Sequence, residues 1–202
     1  MQRSCVGPVR RRGQGGGAMS NFTRGRLEKE RERVFEALER AARMVGQRDA
    51  YILENDLREE AIIHRLAYYL EDILLKDTIL KLEGCAVDCE YNSGSGYLRK
   101  RLQIPWPKGS QSQLRKRDQR VRPDIIVHQR GGDGEHLNLL MVEVKKSSTI
   151  SPIAHKYAIL KCEAYRESSL NYLFAGFVCF LTGQSLKSHP DPWKELRKFP
   201  KH

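Results

Sequence analysis

The sequence predicts an α/β domain with a central mixed sheet of about four strands flanked by helices, in the order helix, strand, strand, strand, helix, strand. An extra amphipathic helix precedes it. Three observations lead there. The apolar runs Ile125–Val127 and Leu139–Val144 flank a stretch holding Gly131, Gly132, Asp133 and Gly134, which reads as a hairpin. The run Tyr172–Leu181 is long enough for a buried strand and far short of the roughly 20 residues of a membrane span. Helical periodicity marks the segments before and between these strands.

The chain divides into a basic, Gly-rich arm over residues 1–20, a helical region over 21–50 and a main domain over 51–202. The arm carries Arg10–Arg12 and Gly15–Gly17, with no apolar core of a signal peptide. It reads either as a disordered arm that touches nucleic acid or as an upstream extension, with translation starting at Met19. Without Arg3 and Arg10–Arg12 the net charge falls from +11 to +7, so the chain is basic either way.

Arg24–Arg48 places Leu27, Val34, Leu38, Ala41 and Val45 at helical spacing, a stripe suited to packing on the domain or to a homodimer seam. No longer heptad repeat supports the seam, so packing within the chain is favoured. A second helix starts near Asn55 or Asp56, where Asp56 and Glu59 suit a capping box. Ile62, Ile63, Leu66, Ala67, Leu70, Ile73 and Leu74 form its broad apolar face, and either Glu59 or Glu60 points toward the core edge.

Cys85–Asn92 alternates as a strand, leaving Glu90 toward a site or toward solvent. Ser93–Arg120 reads as a long basic connection, with Arg99, Lys100, Arg101, Arg115, Lys116 and Arg117 interleaved with Tyr97 and Trp106. That composition suits phosphate contact with base stacking, against the plainer reading of a solvated charge run. After the hairpin, Ser151 caps a helix with Pro152 in its first turn and Ile153, Tyr157, Leu160 and Ala164 facing inward. The tail from Thr182, with Pro190, Pro192 and Pro200, reads as a capping segment or a loosely held end.

Composition narrows the partners. Apolar residues make up 40% of the chain and charged residues 30%, with a net charge of +11, which points to polyanions and above all to nucleic acid. Solubility alone is the plainer account of that charge. The five cysteines are scattered without a CxxC pair, as in a cytoplasmic protein with reduced thiols.

A two-residue turn at Asp133-Gly134 sets Asp124 opposite Glu143, with Glu143 and Lys145 on one face and Leu140, Val142 and Val144 on the other. Two carboxylates and an ammonium then meet at the end of a buried hairpin. A buried ion-pair cluster is one solution; a bound cation is the other. His128 shares the Asp124 face, and a hydrogen-bonded core role suits it better than catalysis.

Pro123-Asp124 followed by Glu143-x-Lys145, each within an apolar strand, resembles the PD-(D/E)XK nuclease superfamily with its restriction-endonuclease-like core. The resemblance spans roughly residues 55–182. The segments EEAIIHRLAYYLE, VDCEYN, RPDIIVHQR and NLLMVEVKK are similar to an uncharacterised bacterial group within it. The resemblance implies hydrolysis of phosphodiester bonds in nucleic acid, with DNA favoured over RNA. It implies Mg²⁺, or Mn²⁺, held by Asp124, Glu143, Glu59 and the backbone carbonyl of Val144. Lys145 would orient the attacking water or offset charge, and Glu59 is favoured over Glu60. Arg122 and Lys146 would contact phosphate. The helix after Lys145 holds His155, Lys156, Lys161 and Glu163 in no recognisable pattern.

Overall fold

The computed structural model describes residues 31–76, 85–90, 101–102, 104, 119–120, 122–129, 138–168, 170 and 172–200. Its centre is β5 (Asn138–Lys146), buried along nearly its whole length. β4 (Ile125–Gln129) runs antiparallel to it in the expected register, with Ile125 opposite Val142, Ile126 opposite Met141 and Val127 opposite Leu140. A bulge follows between Val127 and His128, so that His128 pairs with Asn138 and Leu139 is the extra residue. Leu139 and Leu140 consequently join the same core cluster. The Asp133-Gly134 turn lies outside the described residues.

β1 (Cys85–Cys89) pairs antiparallel with β4 at one edge. On the other side of β5 lies β6 (Tyr172–Phe180), parallel to it. A parallel neighbour demands a crossover, and α4 (Pro152–Glu167) supplies it. Ser151 Oγ accepts a hydrogen bond from Ala154 N–H at 3.1 Å, as its capping role requires.

Among the described residues the sheet has five strands, β1-β4-β5-β6 followed by a last one at the far edge. The tail is therefore not a loose cap: Trp193–Pro200 forms β7, antiparallel to β6. Pro190 and Pro192 precede the strand, and Pro200 is tolerated as its last residue, on an edge with one side free of ladder bonds. A 3₁₀ turn at Gly183–Ser188 precedes it.

Helices cover both faces. On one lie α1 (Arg31–Arg48), the short α2 (Ala50–Glu54) and α3 (Glu59–Lys76). Val34, Leu38, Ala41 and Val45 are wholly buried in that cluster, while Leu27 lies outside the described residues. The α1 stripe is thus spent within the domain and is not open as a dimer seam. Val34, Leu38 and Val45 each contribute on the order of 1.5–3 kcal/mol by burial. All seven expected apolar positions of α3 are buried as well.

α3 begins at Glu59, later than expected. Asp56 does not cap it; its backbone has φ 48° and its carboxylate binds Lys146 and Ser148. On the opposite face α4 fully buries Ala158, Lys161, Cys162 and Tyr165; of the expected inward positions Tyr157, Leu160 and Ala164 are partly buried against that core, while Ile153 is exposed. Within the long basic connection, β2 (Arg101–Leu102) and β3 (Gln119–Arg120) form a small antiparallel ribbon. Leu102 and Ile104 anchor it in the α4-side core. Among the described residues no helix is long and apolar enough to cross a membrane.

α1 approaches β6 closely because position 176 is glycine. A Cβ at Gly176 would stand 2.6 Å from Leu38 Cδ2. Gly176→Ala is therefore expected to cost about 1–3 kcal/mol by overpacking. Urea denaturation of Gly176→Ala, Leu38→Ala and the double variant checks this: the double variant should lose less than the two single losses together.

Candidate functional site

The site grows from the end of the β4–β5 pair. Beyond Ile125 the ladder is continued by a side chain: Asp124 Oδ2 accepts a hydrogen bond from Val144 N–H at 2.7 Å. The Asp124 carbonyl accepts another from Glu90 N–H at 2.9 Å. Pro123 is buried beside it. Pro123 restricts Arg122 before it and offers no donor, and Asp124 is held through both its carboxylate and its carbonyl. Its carboxylate is thereby fastened between Glu143 and Lys145.

Lys145 gathers the rest. Its Nζ lies 2.8 Å from Glu59 Oε1, 2.6 Å from the Val144 carbonyl oxygen, 3.5 Å from Asp124 Oδ2 and 3.6 Å from Glu143 Oε1. These are the four groups expected to hold a metal, and all four point at one ammonium. Glu59 is the acid at the site, as expected; its neighbour Glu60 is exposed. Glu59 opens α3, where a carboxylate is also favoured by the helix dipole. Burial works against the Lys145 charge, but Asp124, Glu143 and Glu59 outweigh it and hold its pKa above the usual lysine value.

One participant was not singled out from the sequence. Lys161 of α4 brings its Nζ to 2.6 Å from Glu143 Oε2 and donates to the carbonyl of Arg122 at 2.6 Å. Its signal was present but quiet: it sits on the buried stripe with Ala158, Cys162 and Tyr165, where a lysine needs a partner. Lys161 is thus the partner of Glu143 Oε2, as Lys145 is of Oε1. Glu143 is only 4% exposed. Burial is the chief reason its pKa rises from 4.5 to about 7; Asp124 adds to the rise, and Lys161 and Lys145 oppose it.

Other expected residues are placed differently. Arg122 is exposed at the rim and pairs with Glu90 at 2.7 Å. Lys146 is not a phosphate contact here. It is 8% exposed, and its Nζ is spent on Asp56 Oδ1 at 2.9 Å, Asp56 O at 3.2 Å and Leu57 O at 2.8 Å. His128 Nε2 lies 2.7 Å from Asp88 Oδ2, a buried pair within the sheet and four residues along β4 from Asp124. Arg99, Lys100, Arg115, Lys116 and Arg117 lie outside the described residues. Arg101 is described by its backbone, opposite Arg120 in the ribbon. That ribbon is anchored against the cluster containing Met141, and Met141, Glu143 and Lys145 share a face by strand alternation.

Among the described residues no three histidine, cysteine, aspartate or glutamate side chains form a ready-made metal cage. The donor chemistry nonetheless suits a hard cation: carboxylate oxygens from Glu59, Asp124 and Glu143 plus one carbonyl. Compared with protein-family models, with curated proteins and with solved structures, the chain finds no match.

The raised Glu143 pKa has a definite sign in stability. Between pH 4.5 and about 7 the folded protein holds a proton that the unfolded chain has released. The stabilisation is full below 4.5 and is lost as pH rises through about 7. Denaturant titrations in chelator should show wild type losing stability over this window relative to Glu143→Gln. An equal pH slope in the two proteins would contradict the assignment.

Proposed function

We propose that this protein is a metal-dependent nuclease of PD-(D/E)XK type, with a restriction-endonuclease-like core, that hydrolyses phosphodiester bonds, in DNA rather than RNA. The observation that carries the reading is the convergence of Glu59, Asp124, Glu143 and the Val144 carbonyl on one point now held by Lys145 Nζ. Those four groups would hold Mg²⁺ or Mn²⁺. A divalent ion bound there supplies charge neutralisation for the phosphate, a more acidic water and stabilisation of the leaving oxygen.

The protein's own groups do the positioning. Asp124, fixed by Val144 N–H, and Glu143, fixed by Lys161, set the separation of two carboxylates on adjacent strands. Lys145, two residues on from Glu143, offers an ammonium to the reacting phosphate or to the attacking water. Arg122, exposed beside Asp124, lies where a flanking phosphate would pass, and Glu90 holds it until then. The basic residues around β2 and β3, with net charge +11 overall, supply the electrostatic attraction for a polyanion.

Linear, circular and single-stranded DNA, with RNA alongside, should be incubated with Mg²⁺ or Mn²⁺ and then with chelator. Cleavage is expected only with the metal, and Asp124→Ala and Lys145→Ala should each slow it by about a hundredfold or more. Undiminished cleavage in chelator, or in either variant, would sink the mechanism. Binding to DNA should also weaken steeply with added salt, read by fluorescence anisotropy; a flat salt response would remove the case for phosphate contact.

A second reading has its own observation. Lys145 and Lys161 already pair the acids, so the cluster can stand without metal, as expected of an inactive nucleic-acid-binding module on the same fold. Salt-sensitive DNA binding with neither cleavage nor metal uptake would favour it.

A further inference from the structure

We infer that the Lys145 ammonium is the resident cation of this site, and that a divalent ion enters only by exchange with it, so that Lys145 sets how much metal the protein requires. The inference rests on the metal reading above and adds which side chain must leave. The four oxygens facing Lys145 Nζ, at 2.6 to 3.6 Å, are the same four that a metal would need. A Mg²⁺ bonds oxygen at about 2.0–2.1 Å, so an ion that took all four would stand where the ammonium now stands, at full like-charge repulsion. An ion holding that whole set leaves the ammonium no place among them.

Charge counting agrees. By formal charge, the three carboxylates of Glu59, Asp124 and Glu143 against the two ammoniums of Lys145 and Lys161 leave one net negative charge. Exchanging Lys145 for a divalent ion makes it neutral, whereas adding the ion on top leaves it positive. Lys161 is not the group that leaves. It touches only Glu143 among the four groups, on the other oxygen, and is tied to the Arg122 carbonyl on a stem only 10% exposed. Lys145 is 21% exposed, on a flexible four-carbon stem, and can swing outward while remaining at the site. Coupling of this kind is reciprocal: whatever the ammonium costs the metal, the metal costs the ammonium.

Calorimetric titration of Mg²⁺ and Mn²⁺, without nucleic acid, into wild type, Lys145→Met and Asp124→Asn/Lys145→Met tests the exchange. Lys145→Met should bind metal about tenfold or more tightly than wild type, and the double variant should lose that gain. If wild type binds metal and Lys145→Met binds no more tightly, exchange is refuted while the metal site stands. A gain that persists in the double variant places the ion elsewhere and also refutes exchange. If neither folded protein takes up metal, the metal reading falls and exchange with it. Should Lys145→Met not fold, wild type alone decides by amine labelling with peptide mapping. Saturating Mg²⁺ should speed labelling of Lys145 and leave Lys161 unchanged; unchanged or slower labelling of Lys145 overturns the inference.

Discussion

The constraint on which this structure depends is a charged end on a buried strand. β5 is covered on both faces by helices, yet it finishes Glu143-Val144-Lys145-Lys146. Three charges that water cannot reach freely must each be met by protein. The partners come from three separate segments: Lys161 of α4 for Glu143, Glu59 at the start of α3 for Lys145, and Asp56 before α3 for Lys146. A shift of either helix by one turn would break at least one pair and leave a buried charge exposed to the low dielectric. Such pairs add little net stability against an apolar substitute, but breaking one is costly, so they select one arrangement of helices on the sheet.

The same pairs fix the geometry of the site. Asp124 is set by a backbone donor on β5 and Glu143 by a lysine on α4, so the two acids on neighbouring strands are held from opposite directions. Because Lys161 also binds the Arg122 carbonyl, α4 is tied to the start of β4 as well as to β5. One side chain thus couples the crossover helix to both strands that carry the acids.

Much of this was legible in the sequence, for a physical reason. β-Branched runs around a Gly-rich turn specify a register, and the register holds from Ile125 to Val127, the part that places Asp124 near Glu143. It shifts only past the bulge at Val127/His128, which no alternation pattern announces. The narrow stripe of α1 and the broad face of α3 were legible because every expected position on them is apolar. The face of α4 was not, since its buried stripe includes Lys161, and an apolar count rejects a lysine whose partner lies on another element. β7 was hidden by Pro190, Pro192 and Pro200, which read as breaks until the strand proves to be an edge. Gly46 accepts that chain closely: a Cβ there would stand 2.5 Å from Pro192 Cβ.

Backbone strain falls where the acids are placed. Among the described residues the non-glycine positions with positive φ are Asp56, at 48°, and Glu90, at 51°. Aspartate enters this region more readily than most residues; glutamate has less reason to. Each flanks one side of the cluster. The turn at Asp56 lets its carboxylate reach Lys146 and Ser148 while Glu59, three residues later, opens α3 toward Lys145. The turn at Glu90 ends β1 so that its N–H meets the Asp124 carbonyl and its carboxylate meets Arg122. Strain of this size, about 1 kcal/mol or more per residue, persists only where surrounding contacts over-determine it. Here those contacts run from Asp56 to Lys146 and Ser148, and from Glu90 to the Asp124 carbonyl and Arg122, each adjoining a group that meets Lys145. The strained turns and the paired charges are therefore parts of a single device, and the acids converge because the chain is bent on both sides to make them.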